Sequence, residues 1–235
     1  HKITMGGIAK GSGMIHPNMA TMLAFIVTDA VIDKKTLSLA LKEANHRTFN
    51  RITVDGDTST NDMALLLANG KAENTNIRVG SSAYNKFVEK LTALCLYLAH
   101  KIVLDGEGAT KFVTIKVQGA KVKTHAYRIA QSVATSTLVK TALFGQDPNW
   151  GRIFAAVGNA EAPFNPDKVR ISLNSSVLFD NGVPAKGASQ PVLRKKMKSK
   201  NISIIIDLKS GIHSDEVYTC DLSYDYVRIN AEYTT

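Results

Sequence analysis

The sequence has few of the features that would place the protein in a membrane or in a disulfide-bonded scaffold. No apolar run reaches the roughly 20 residues needed to cross a bilayer, and polar residues interrupt the longest candidate, 91–104. The first ten residues lack the basic start and apolar block of a secretory signal peptide, so we expect none. Two cysteines, Cys95 and Cys220, are too few for a framework of disulfides. This favours a reducing compartment and no membrane partner.

Acidic residues are in the minority, which raises the question of a nucleic-acid partner. The chain has 29 Lys and Arg against 20 Asp and Glu, a net charge of +9. Much of the excess lies in segment 186–200, which we expect to form a surface helix carrying Arg194, Lys195, Lys196, Lys198 and Lys200. No aromatic residues alternate with these charges to stack on bases. A solvated helix face is therefore favoured over a nucleic-acid site.

The 235 residues, 44% of them apolar, suffice for one large domain or two small ones with a substantial core. Strands and helices mix with few tight βαβ units, which predicts an α+β fold or a layered α/β sandwich. We expect strands at 3–8, 23–31, 52–54, 111–117, 169–173, 177–180, 202–208 and 217–222. We expect helices at 33–49, 63–68, 82–103, 125–144, 150–157 and 224–232, besides the basic one, with Asp33 as an N-cap.

Three carboxylates lie in one segment and make it a candidate divalent-cation site: Asp55, Asp57 and Asp62. The segment lacks the pattern of a calcium loop, which has a Glu at its twelfth position. We therefore interpret it as structural or pocket-shaping, with Asp57, Thr58 or Asn61 capping the following helix. The six histidines are scattered, so neither a zinc site nor a Ser-His-Asp triad is predicted, and we expect no metal.

One hydroxyl residue, Thr21, lies between a glycine- and serine-rich loop and an apolar run. A hydroxyl in that position can attack the carbonyl before it and turn the peptide into an ester, which water then cleaves. The product is an N-terminal threonine whose α-amino group, with a reference pKa of about 7.7–8.0, can act as a base for its own hydroxyl. On residue type alone, a threonine at the start of a strand is more often explained by its β propensity.

Six segments, in order along the chain, resemble five motifs of the ornithine acetyltransferase (ArgJ) family, and the first two segments together make up the first motif. They are KGSGMI and PNMATML at 10–15 and 17–23, TVDGDTSTND at 53–62, DGEGATKF at 105–112, DPNWGR at 147–152 and DYVRINAEYTT at 225–235. The likeness runs nearly from end to end. It implies an α/β fold, the α+β layered sandwich of the ArgJ-like DOM fold, with N-terminal-nucleophile chemistry.

The resemblance also implies an acyltransferase of arginine biosynthesis. Family members move the acetyl group of N2-acetylornithine to glutamate through an acetyl-threonine intermediate, with ping-pong kinetics, and give ornithine and N-acetylglutamate. Some members also accept acetyl-CoA as a donor, so acetyl-CoA is a possible co-substrate, and we expect no cofactor. Family members work in the bacterial cytoplasm, which we expect here, or in the fungal mitochondrial matrix.

The family's precursor cuts itself, and the resemblance places the cut between Ala20 and Thr21. Residues 1–20 then correspond to the end of the α segment. Residues 21–235 correspond to the β segment, in which we expect an upper part, 21–160, and a β-rich part, 161–235. The expected partner is the chain's own α chain, in a heterotetramer (αβ)2 or a larger assembly.

Residue by residue, the resemblance implies that Thr21 is the nucleophile and that its freed α-amine is the base. The implied substrate contacts are Lys10, Thr21, Glu107, Asn230 and Thr235. Lys10 suits a substrate carboxylate, and Glu107, between two glycines, suits an ammonium group. Taken alone, these residues fit a solvated loop lysine, a turn residue and a frayed terminus equally well.

The sequence departs from the family on its N-terminal side. Most of the α segment is missing, including a Thr-Gly pair that forms the family's oxyanion hole, so we expect this chain alone to be an incomplete enzyme.

Two alternative functions are phosphate or nucleotide binding and RNA binding. A phosphate or nucleotide site at 11–13 or 106–108 lacks the P-loop order. A basic RNA-binding module would show a steep salt dependence of binding.

Overall fold

The computed structural model describes residues 1–16, 22–186 and 189–232. The chain forms two compact units, one of residues 1–52 and 56–105, the other of residues 53–55 and 106–235. Each unit has its own sheet and its own helices, as the predicted mixed α/β class requires. The main division between the units falls after Asp105. The expected boundary after residue 20 lies outside the described residues.

The first unit consists of a three-stranded sheet and two helices. Its elements are β1 (Met5–Lys10), β2 (Leu23–Thr28), α1 (Lys34–Arg47), β3 (Met63–Ala68) and α2 (Ser82–Leu104). The central strand, β2, runs antiparallel to β1 and parallel to β3. Alternate side chains of a strand point to opposite faces of the sheet. One face packs on α2, so closely that a Cβ at Gly7 would lie 3.1 Å from Leu98 Cδ1.

The opposite face of this sheet is apolar and open to solvent. Six side chains lie on it, each between 36% and 70% exposed: Ile8, Phe25, Val27, Met63, Leu65 and Leu67. We call this surface the apolar sheet face. Monomeric soluble proteins rarely leave a contiguous apolar surface of this kind uncovered, so a partner is expected there.

The sequence assigned two short elements in the first half of the chain wrongly. The apolar run Met63–Ala68, predicted as a helix, is strand β3. Six residues are too few for periodicity to separate the two structures, and the parallel pairing with β2 outweighs the helix propensity of Leu and Ala. The predicted strand 52–54 is also wrong, because Ile52 forms a single bridge and the chain continues into a loop. Asp57, Thr58 and Asn61 therefore precede a strand and cap no helix.

The two helices of the first unit begin where polar residues supply their caps. Asp33 accepts hydrogen bonds from the backbone N–H groups of Lys35 and Thr36, which confirms it as the N-cap of α1. Ser81 does the same for α2 through the N–H of Tyr84. No helix in the described part of the chain is both long enough and apolar enough to span a membrane.

The second unit is built on a six-stranded sheet in the order β7-β6-β5-β8-β4-β9. Its strands are β4 (Phe112–Ala120), β5 (Arg170–Leu173), β6 (Ser176–Asp180), β7 (Val183–Pro184), β8 (Asn201–Asp207) and β9 (His213–Cys220). Its helices are α3 (Lys123–Thr135), α4 (Thr137–Phe144), α5 (Trp150–Gly158), α6 (Gln190–Met197) and α7 (Tyr224–Glu232). Strands β4 and β8 are parallel, and the other neighbours are antiparallel.

The core of this unit lies on one face of the sheet. Alternate residues of the paired strands β4 and β8 are fully buried there, and α3 packs over β4 and β9. The buried pairs are Val113↔Ile202, Ile115↔Ile204 and Val117↔Ile206. The alternation predicted for 111–117 is therefore confirmed.

Two helices of the second unit differ in detail from the prediction. The expected helix at 125–144 is divided at Ser136, which has an extended backbone and caps α4 by accepting from the N–H of Val139. The basic helix is present as α6, but it is shorter than expected, because Lys198 is its C-cap and Lys200 lies beyond it. Lys196 is also not simply solvated. Its Nζ donates to the carbonyl of Asn174 at 3.0 Å and to Ser176 Oγ at 2.7 Å.

Candidate functional site

One candidate site lies at one edge of the three-stranded sheet of the first unit. In the strand register, Lys10 of β1 pairs with Leu23 of β2, which in turn pairs with Met63 of β3. Thr21 stands two residues before Leu23 in the sequence. The register therefore brings Lys10 to the strand end that follows the predicted nucleophile. Ala20 and Thr21 themselves lie outside the described residues.

Both backbone polar groups of Met22 are hydrogen-bonded at this edge. Its N–H donates to Asp62 Oδ1, and its carbonyl accepts from the N–H of Met63 at 2.8 Å. The side chain of Met22 is buried. The residue bonded to Thr21 is thus fixed before the strand pairing of β2 begins.

The sequence analysis named Asp62 only as one of three carboxylates in a segment that was interpreted as structural or pocket-shaping. Burial raises the pKa of Asp62 to about 6, and the hydrogen bond from Met22 acts in the opposite direction. The signal that could have identified it is its place immediately before β3, but the sequence predicted a helix there.

Lys10 lines a cleft of about 280 Å³ within the first unit. The cleft is lined by Ala9, Lys10, Gly11, Lys101, Ile102, Leu104 and Asp105. Two ammonium groups and one carboxylate are available there. This set of charges suits a small zwitterion such as an amino acid, whose carboxylate needs a cation and whose ammonium needs an anion.

A second candidate site lies in the second unit, where two predicted substrate contacts meet. The side-chain amide of Asn230 donates to Glu107 Oε2 at 2.9 Å, although the two residues are 123 positions apart. The same amide also donates to the carbonyl of Tyr226, one turn earlier in α7. Glu107 thereby presents an oriented carboxylate, and part of its hydrogen-bonding capacity is left for a ligand.

Segment 221–223 holds the Glu107 loop in place. The carboxylate of Asp221, which is buried, accepts from the backbone N–H groups of Thr110 at 2.8 Å and Lys111 at 2.9 Å. Ser223 Oγ donates to the carbonyl of Gly108 at 2.7 Å and accepts from the N–H of Tyr226 at 3.3 Å. Segment 221–223 therefore anchors both the Glu107 loop and the start of α7, and we call this segment the anchor.

A buried lysine supports this anchor from α4. Lys140, 3% exposed, donates from Nζ to the carbonyl of Cys220 and to Thr219 Oγ1, the latter at 3.0 Å. Burial lowers the pKa of Lys140.

α7 also contacts the short segment 53–55. The hydroxyl of Tyr226 donates to Asp55 Oδ2 at 3.3 Å. This contact helps explain why the short segment 53–55 belongs to the second unit.

The structure thus describes three of the predicted site residues. Glu107 and Asn230 are in contact, and Lys10 belongs to the other unit. Thr235, like Ala20 and Thr21, lies outside the described residues. Among the residues that the structure describes, no group of three or more His, Cys, Asp or Glu side chains is arranged to hold a metal ion.

Comparison with known proteins gives a consistent result. The model of the ArgJ family matches residues 1–235. An arginine biosynthesis bifunctional protein ArgJ of Desulfotalea psychrophila is 52% identical over 227 residues, which are 97% of this chain and 58% of that protein. The protein of the same name from Staphylococcus epidermidis is 50% identical over 233 residues, which are 99% of this chain and 58% of that protein.

A solved structure shows the same fold. The crystal structure of the arginine biosynthesis bifunctional protein ArgJ of Bacillus halodurans superposes with a TM-score of 0.86 at 40% sequence identity. The match covers 91% of this chain and all of the crystallised chain. The chain therefore spans the full length of that crystallised chain but only 58% of the two relatives named above.

Proposed function

Since the chain belongs to the ArgJ family, we propose that it is the nucleophile-bearing part of an acetyltransferase of arginine biosynthesis. The observation that carries this proposal is the match of the family model to the whole chain. The donor is N2-acetylornithine and the acceptor is glutamate, so the products are ornithine and N-acetylglutamate. Acetyl-CoA is proposed only as a possible second donor, and the bacterial cytoplasm as the place of action.

The reaction begins with self-cleavage between Ala20 and Thr21. The hydroxyl of Thr21 attacks the carbonyl of Ala20, the peptide becomes an ester, and water hydrolyses that ester. Residue 20 then ends in a carboxylate, and Thr21 begins a new chain with a free amine. That amine is the base that the hydroxyl needs in every later turnover.

Acetyl transfer then proceeds in two balanced steps. The hydroxyl of Thr21 attacks the acetyl carbonyl of N2-acetylornithine while the α-amine takes its proton. The C–N bond breaks, ornithine leaves with that proton on its nitrogen, and an acetyl ester remains on Thr21. The amine of glutamate attacks this ester, the C–O bond breaks, and the hydroxyl is restored. The scheme predicts ping-pong kinetics.

Donor and acceptor both carry an α-carboxylate, and N2-acetylornithine also carries a side-chain ammonium group. Lys10 supplies a cation in a cleft that also holds Lys101 and Asp105, and this cation suits the shared carboxylate. Glu107, oriented by Asn230, supplies a fixed carboxylate, which suits the side-chain ammonium of N2-acetylornithine.

The proposed partner is the α chain of the same precursor. The relatives are longer than this chain, and the apolar sheet face has the composition of an interface that something covers. We propose that the rest of the α chain, of which residues 1–20 are the end, packs there and supplies the oxyanion hole. The αβ unit then assembles into a heterotetramer (αβ)2 or a larger oligomer.

The test compares two substitutions of one residue in the full-length precursor. Thr21→Ala removes the hydroxyl, so we expect one uncut polypeptide and no acetyl transfer. Thr21→Ser keeps a hydroxyl and an amine, so cleavage and measurable activity should persist. Gel electrophoresis and an assay for ornithine release report both properties. Wild-type activity in Thr21→Ala would refute the proposed nucleophile.

A further inference from the structure

Asp62 holds a position that the proposed mechanism leaves unused. It belongs to the loop that leads into β3, and one of its carboxylate oxygens, Oδ1, accepts the N–H of Met22. The other oxygen, Oδ2, is buried and has no hydrogen-bond partner among the residues that the structure describes. A buried carboxylate oxygen without a partner is costly, so it calls for an explanation.

The location of Asp62 relative to the nucleophile follows from covalent geometry. The nitrogen of Met22 is bonded to the carbonyl carbon of Thr21, and the α-nitrogen of Thr21 is two further bonds away. Standard bond lengths keep these two nitrogens within about 3.7 Å of each other for any backbone torsion. Because Asp62 is hydrogen-bonded to the first nitrogen, its charge lies near the second.

The environment of Asp62 supplies no compensating cation among the described residues. The influences on its pKa are burial, which raises it, and the N–H of Met22, which lowers it. No ionisable side chain, Lys10 of the paired strand included, is among these influences. The carboxylate is therefore available to a positive group that forms beside Met22.

We propose that Asp62 is a positioning residue for Thr21: its carboxylate holds Met22 at the strand edge and places a negative charge beside the amine that self-cleavage frees. This inference rests on the proposed role of Thr21. The hydrogen bond fixes the backbone that follows the nucleophile. The charge favours the ammonium form of the amine over its neutral form.

Two substitutions separate these contributions in the full-length enzyme. Asp62→Asn keeps an oxygen that accepts from Met22 but removes the charge. Asp62→Ala removes both. A matched control is Asn74→Ala, because Asn74 accepts the N–H of Val31 at 2.8 Å just beyond the far end of β2. The control loses the same kind of side-chain contact in the same unit, away from Thr21.

The charge predicts a shift in the pH profile. Acetyl transfer needs the neutral amine, so kcat/KM falls at low pH as the amine becomes charged. Without the carboxylate the ammonium is less favoured. The acid limb of Asp62→Asn should therefore move to lower pH by about one unit, the size expected of a charge within roughly 6 Å. Asn74→Ala should keep the wild-type profile.

The hydrogen bond predicts a second effect. Asp62→Ala should slow self-cleavage and lower kcat about tenfold, the effect of losing one hydrogen bond to a charged group. The proposal is overturned if the acid limb of Asp62→Asn coincides with that of the wild type, or if Asp62→Ala cleaves itself and turns over substrate normally.

Thr21→Ala is assayed in parallel, to separate a failure of the proposed function from a failure of the role of Asp62. If that variant stays active, the proposed function fails; if it is inactive and the Asp62 variants behave as wild type, only the role of Asp62 fails.

Discussion

At the scale of single residues, the loop that carries Glu107 depends on a glycine beside it. Gly108 adopts a φ of +65°, and a Cβ there would lie 2.5 Å from the backbone nitrogen of Tyr226 and 2.6 Å from Ser223 Oγ. The glycine thus permits a close approach between this loop and the first turn of α7. That approach places Asn230 within reach of Glu107.

A comparison of two glycines tests this requirement. Gly80 also has a positive φ, +83°, but a Cβ there would meet nothing within 4 Å. Both Gly→Ala substitutions should cost about 1–2 kcal/mol for the left-handed backbone. Gly108→Ala should cost more, because the backbone of α7 has to move, and it should also raise KM. Thermal unfolding and steady-state kinetics measure both effects, and equal losses at the two positions would contradict the steric explanation.

The candidate site could be predicted from the sequence only in part. Resemblance to a family named Lys10, Glu107 and Asn230 as substrate contacts. The hydrogen bond between Glu107 and Asn230 was not predictable, because it depends on how segment 221–223 joins the loop to α7 and no local pattern encodes that. The contact of Asp62 with Met22 was not predictable either, because it depends on the pairing of β2 with β3.

At the scale of elements, α7 is held mainly by polar contacts. None of its described residues is buried, and Tyr224, Val227 and Ile229 are exposed on its surface. Its start is anchored by Ser223, and its end by the hydrogen bond from Asn230 to Glu107. The position of Asn230 therefore depends on the anchor more than on apolar packing.

Loss of the anchor should free α7. Ser223→Ala removes the hydrogen bond to Gly108, so we expect faster amide hydrogen exchange in α7 and a higher KM for N2-acetylornithine. Ser132→Ala is the matched control. Ser132 Oγ donates to the carbonyl of Ala156 at the same 2.7 Å, but in the α3–α5 contact. Exchange in α7 that is no faster in Ser223→Ala than in Ser132→Ala would show that the helix is held otherwise.

The elements themselves were predictable to the extent that each carries its own signal. The 23 residues of α2 give a long apolar stripe and a serine cap, and they form the predicted helix. The six residues of β3 give neither, and their pairing with β2 decides their structure. The division at Ser136 was missed because a serine cap inside a helical pattern is a weak signal.

At the scale of the whole molecule, the chain is one part of a longer protein in the relatives named above, and its surface is consistent with that. The apolar sheet face would be unusual on a protein that works alone. Apart from Lys10 at the edge, no charged residue lies on the three strands β1, β2 and β3. An apolar partner surface, and not a charged one, is therefore expected of the α chain.

Charge placed on the apolar sheet face should weaken this association. Val27→Lys and Leu65→Lys each put an ammonium group into the proposed interface, so less of the α chain should copurify with the β chain, although β1, which belongs to the α segment, still pairs with β2. Ile212→Lys is the control, because Ile212 is 92% exposed and lies in the second unit. Copurification at the wild-type level in both sheet-face variants would place the interface elsewhere.

The central claim is that Thr21 carries the acetyl group, and one measurement tests it most directly. Full-length enzyme is mixed with N2-acetylornithine in the absence of glutamate and quenched in acid. The intact mass and the fragments of the chain that begins at Thr21 are then recorded. We predict one added acetyl group, located on Thr21 and lost when glutamate is supplied. An active enzyme that never gains an acetyl group, or gains it at another residue, would contradict the account.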